Sequence, residues 1–100
     1  GEPPTIKDIE ECLWRAAMLA PDSPQPNVEL GHHYYAVEDD AAEGLEHFRE
    51  AESRARKWLL EAYLGIEACA EELGDEKTLK EIKAKLNATF PHLAEFGQAD

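Results

Sequence analysis

Four histidines and the acids spaced around them are the residues of this 100-residue chain best suited to chemistry. Glu29 and His33 stand four apart, as do Glu43 and His47, so each pair shares a helix face and could hold a cation. A metal centre needs three or four converging ligands, and the chain has no HExxH pattern and no closely spaced Cys and His. Surface ion pairing is therefore expected at both pairs, with no metal and no cofactor. Glu38, Asp39, Asp40 and Glu43 form the densest carboxylate group. They lack the glycine and spacing of a calcium loop, and they suit a helix end followed by the positive start of another helix. Ser23 and Ser53 are the only serines, both in turn-like settings, and there is no Gly-rich phosphate loop and no G-x-S-x-G. The chain reads as a non-enzyme.

Composition narrows the partners. Ten basic residues face 22 acidic ones, a formal net charge of −12. Phosphate binding needs clustered Lys and Arg, so nucleic acid and anionic membranes are not expected. Lys77, Lys80, Lys83 and Lys85 crowd one helix, but without the interleaved aromatics of an RNA-binding surface. The acid is uneven: residues 1–50 hold 12 acidic and 3 basic residues, residues 51–100 hold 10 and 7. No apolar run reaches the ~18 residues of a membrane span, and no basic-then-apolar leader opens the chain. A cytoplasmic location follows as the expectation. Cys12 and Cys69 fall in helical apolar patterns, where buried free thiols are expected. Asn87-Ala-Thr89 fits a glycosylation acceptor by chance alone.

The elements that must position these residues are helices, because the apolar periodicity is helical almost throughout. Thr5 and Asp8 form a capping-box start after Pro3 and Pro4, and Ile6, Ile9, Leu13 and Ala16 give the first stripe, stopped by Pro21. A proline-rich connector ends at Asn27, which is placed to cap a second helix carrying Val28, Leu30, Tyr34, Tyr35 and Val37. Leu45, Phe48, Ala51 and Ala55 mark a third. Residues 58–73, rich in Trp, Leu, Tyr and Ile, read as buried on several sides. Gly74 then caps one helix and Asp75 starts another, with Leu79, Ile82, Leu86 and Phe90 as its stripe and Pro91 as its stop. Five helices are expected, near residues 5–20, 27–38, 41–55, 58–73 and 76–90, with a turn within 53–57 and a tail over 92–100.

An internal repeat organises these helices. Leu30-Gly31 recurs as Leu64-Gly65, a shift of 34 residues; Phe48 maps to Ile82 and Gly44 to Thr78 at the same shift. Leu30-Gly31-x-x-Tyr34 followed by Gly44-x-x-x-Phe48-x-x-Ala51 resembles the A and B helices of the tetratricopeptide repeat family, the second motif falling one residue later than the family spacing. Ile9-x-x-x-Leu13-x-x-Ala16-x-x-x-x-Pro21 is similar to the B helix of a preceding repeat, and Leu64-Gly65-x-x-Ala68 with Thr78-x-x-x-Ile82 to a third copy. Asn27 and Glu61 stand where the family has Trp, and Arg56 stands near its closing Pro.

The resemblance implies an all-α, right-handed superhelical stack of antiparallel helix pairs. It divides the single domain 1–100 into a half repeat over 5–21, repeats over 24–57 and 58–91, and the tail. A chain opening on half a repeat suits a piece of a longer protein, or an end covered by other repeats or by a second copy as a homodimer. The resemblance further implies a ligand groove lined by Val28, His32 and Tyr35, with Leu59, Ala62, Tyr63 and Ile66. Val28, His32, Ala62 and Ile66 replace the Lys and Asn clamps that some members use for terminal carboxylates. The expected function is non-catalytic protein–protein interaction, as a scaffold or adaptor, with a peptide segment or helix of apolar anchors and basic flanks as partner. The alternatives are a structural or regulatory segment of a larger enzyme, docking intramolecularly or self-associating, and a plain helical bundle with a metal or ligand site at the histidines.

Overall fold

A computed structural model describes residues 2–92. All elements within them are helical: α1 (Ile6–Leu19), α2 (Gln25–His32) running into a π turn (His33–Val37), α3 (Ala41–Leu73) and α4 (Glu76–Thr89). The chain divides into two compact units, the first ending at Lys57 and the second starting at Trp58. The expected tail over 92–100 lies, beyond residue 92, outside the described residues. Among the described residues no helix is long and apolar enough to cross a membrane.

In the first unit, α1 begins as expected. The Thr5 hydroxyl accepts from the Asp8 amide, and the Asp8 carboxylate accepts from the Thr5 amide, which satisfies two otherwise orphaned donors. α2 starts earlier than expected. Its N-cap is Pro24 and Pro26 lies in its first turn, where a missing N–H costs nothing. Asn27 is therefore a buried residue inside the helix rather than its cap. The turn at 38–40 does form. Asp39 adopts a φ of 52°, the Asp40 amide returns to the Tyr34 carbonyl at 2.8 Å, and the Asp40 carboxylate accepts from the Glu43 amide to start α3.

Four α-helices replace the expected five, because no turn interrupts residues 53–57. The segment from Ala51 to Ala62 consists almost entirely of strong helix formers, with neither Gly nor Pro. Arg54 also fastens this stretch to the end of α1. Its Nη1 donates to the carbonyls of Ala17, Ala20 and Ser23, each at 3.2 Å, while its Nε pairs with Glu50 at 3.0 Å. The Ala17 carbonyl belongs to the last turn of α1, so a cation there also suits the helix dipole, and the Ala20 carbonyl shares Arg54 with the Ser23 amide. Lys57 pairs with Asp22 at 2.8 Å.

The core of the first unit is small: Ala17, Leu30 and Ala51, with Leu30 fully buried. In the second unit Gly74, at a φ of 69°, closes α3, and Asp75 caps α4 by accepting from the Thr78 amide at 3.1 Å and the Thr78 hydroxyl at 2.6 Å. The buried apolar residues described here are Ala70, Ile82 and Leu86. Residues 58–73 are thus not buried on several sides. Trp58 is 55% exposed, Leu59 38%, Ile66 42% and Leu73 80%. Among the described residues of the unit, α4 is the one other helix. Both cysteines are exposed free thiols rather than buried ones.

Candidate functional site

The first unit gathers its chemistry around two buried histidines. α1 supplies Glu10 and Trp14 from one face, and α2 with its π turn supplies His33 and Tyr34. His33 is 7% exposed, and its Nε2 lies 3.6 Å from Glu10 Oε2 and 3.6 Å from Glu38 Oε1. No hydrogen bond satisfies that nitrogen.

Glu38 reaches His33 because of the π turn. Residues five apart in an α-helix point about 140° away from each other. Here the Glu38 amide donates to the His33 carbonyl at 3.1 Å, and the wider turn carries residue 38 back over residue 33.

A hydrogen-bonded chain fixes the other carboxylate. The Trp14 indole N–H donates to the Tyr34 hydroxyl at 3.0 Å, and that hydroxyl donates to Glu10 Oε1. This leaves Oε2 to face His33. The hydrogen bond from Tyr34 is the main reason the Glu10 carboxyl is held below the usual carboxylate range, with His33 and Lys7 adding to it against the effect of burial. Burial, followed by the bond to Glu10, pushes the Tyr34 phenol upward, while Trp14 opposes the shift. The Tyr34 ring stacks on His47 at 5.1 Å, and Trp14 meets His47 edge-on at 4.8 Å. His47 is buried, with Nε2 3.2 Å from Glu43 Oε1 but outside hydrogen-bonding geometry. Glu43 and His47 are thus neighbours as expected, but His47 is buried rather than part of a surface pair. His33 instead turns to Glu10 and Glu38.

The residues expected to line a groove are distributed as follows. His32 lines an apolar cleft with Ile6, Ile9, Leu13, Ala36 and Val37, and meets Phe48 edge-on at 5.0 Å. Val28 and Tyr35 are exposed, Tyr35 by 62%, and do not line that cleft. In the second unit Leu59, Ala62 and Ile66 are exposed, whereas Tyr63 is half-buried and meets Phe90 edge-on at 6.1 Å.

The covered line of α3 in this unit is Leu60, Tyr63, Glu67 and Ala70. About 100° round the helix runs an exposed line: Leu59, Ala62, Ile66, Cys69 and Leu73. Its steps of 3, 4, 3 and 4 are those of a coiled-coil seam. Neither this seam nor the Glu10–His33–Glu38 cluster was anticipated from sequence. The seam's period was visible, but which line of the helix is covered was not. The cluster joins two helices through a π turn that no residue pattern announces.

No protein-family model, curated protein or solved structure matches this chain.

Proposed function

We propose that this chain is a non-catalytic protein–protein interaction domain of the tetratricopeptide-repeat kind, and that its principal partner is a second copy of itself, bound along residues 58–73 of α3. The observation that carries this reading is the exposed seam Leu59, Ala62, Ile66, Cys69 and Leu73. Two features of the first unit support the repeat-like part. Phe48 fills the space left by Gly31, as large apolar residues fill the space beside small ones in a helix hairpin. The π turn also accounts for the extra residue between Tyr34 and Gly44.

An antiparallel pairing of two seams suits these side chains. Seating Ala62 against Ile66 of the second copy also sets Leu59 against Cys69 and Leu73 against Ala55. Every layer then joins a large residue to a small one, which close packing favours. A parallel pairing would stack Ala62 on Ala62 and leave gaps.

Completing the burial of Leu59, Ile66 and Leu73 in both copies contributes about 5–10 kcal/mol. Association costs about 4–15 kcal/mol, so the net gain is at best about 6 kcal/mol and the dimer is a weak one, of tens of micromolar affinity or weaker. Sedimentation equilibrium tests it. The wild-type chain should show a monomer–dimer equilibrium, and Ile66→Glu should remain monomeric with unchanged helicity. A wild-type chain that stays monomeric up to millimolar concentration, or an Ile66→Glu variant that dimerises equally well, overturns the proposal.

A further inference from the structure

We propose that Glu10, His33 and Glu38 bind a divalent transition-metal ion of the zinc class. One ligand atom from each residue lies within 4.8 Å of the other two. His33 Nε2 is 3.6 Å from both carboxylate oxygens. Ligands held about 2.0–2.1 Å from a tetrahedral ion stand roughly 3.4 Å apart, so small side-chain adjustments admit the ion.

The nitrogen itself points to a ligand. His33 is more than nine-tenths buried, and its Nε2 is aimed between two acids without a hydrogen bond. A buried polar atom left in that condition is unfavourable, and a bound ion removes the penalty. The donor set selects the ion class. Calcium and magnesium take oxygen ligands, whereas imidazole suits zinc, copper, iron and nickel. Two carboxylates cancel the charge of one divalent ion.

The surroundings are arranged as they are around metal ligands. Tyr34 holds one oxygen of Glu10 and is itself held by Trp14, so the free oxygen is oriented by outer residues. The π turn brings His33 and Glu38 to one side of the backbone, and such turns are frequent at functional sites. Three protein ligands leave a fourth position open to water or to an exogenous donor. This site is independent of the α3 seam, so its test is independent of dimerisation.

The experiment is calorimetric titration of the full chain with zinc, repeated with magnesium, with cobalt absorption as a report on geometry. The expected result is one zinc per chain, little magnesium binding, and a tetrahedral cobalt spectrum. Glu38→Gln, at a half-exposed position where folding is not at risk, should weaken zinc by about tenfold or more, and Tyr34→Phe by about tenfold. Glu81→Gln, on α4, should leave affinity unchanged. Zinc binding that is absent, or equally strong in Glu38→Gln and Glu81→Gln, overturns the proposal.

Discussion

A Cβ placed on Gly31 would lie 2.6 Å from Cε1 of Phe48, inside any permissible contact. The two helices meet there through a bare backbone, and the ring that fills the space is held edge-on by His32. Gly31→Ala should therefore destabilise the protein by about 1–3 kcal/mol through overpacking, although alanine is the better helix former. Urea denaturation measures it. The loss should shrink in a Phe48→Ala background, because the clash is with that ring, and a loss of equal size in both backgrounds would place its cause elsewhere.

Arg54 closes the end of α1 with one guanidinium nitrogen shared among three carbonyls. Arg54→Ala removes this shared donor, leaving Ala20 its bond from the Ser23 amide, and should cost about 1–3 kcal/mol. Arg54→Lys keeps the charge but not the planar fork that serves Glu50 and the carbonyls together, so it should recover only part of the loss. Full recovery by lysine would reduce the interaction to helix-dipole electrostatics.

Asp75 supplies a pH dependence. Its carboxyl is held below the ordinary value by hydrogen bonds from the Thr78 hydroxyl and amide. A group whose folded pKa is depressed adds stability above its unfolded pKa and loses it as pH falls through the folded one. The start of α4 should loosen on acidification below the usual carboxylate range. In Asp75→Asn that part of the acid dependence should vanish, while an uncharged cap remains. Amide exchange at Thr78 and Leu79 across pH reads this directly. Identical profiles for the two proteins would remove Asp75 from the account.

What was legible in the sequence was set by local physics. Thr5 with Asp8, Gly74 with Asp75, and Pro21 each act on the turn in which they stand, and each helix end they announce is present. The turn at 53–57 rested on the 34-residue register alone. Strong helix formers and the tie from Arg54 to α1 carry α3 straight through it. The one-residue offset between Tyr34 and Gly44 was visible, but only backbone geometry turns it into a π turn that sets Glu38 beside His33. Glu10 completes that cluster from another helix, 23 residues away in sequence, beyond any periodic signal. The apolar content of residues 58–73 was equally plain, yet composition does not reveal that one line of it is covered and the next left exposed.

The pairing of two α3 seams is tested most directly by a disulfide. With Cys12→Ser removing the other thiol, Cys69 is the single cysteine. In the proposed register it faces Leu59 of the second copy. Adding Leu59→Cys should therefore give a covalent dimer on mild oxidation, joined between positions 59 and 69 and returned to monomer by reductant, while Cys12→Ser alone forms no covalent dimer. Within one chain the two positions lie about 15 Å apart along the helix, so the bond can form only between copies. A Cys12/Leu59 double variant that remains monomeric under oxidation, or a Cys12→Ser chain that dimerises through Cys69 alone, would contradict antiparallel self-association.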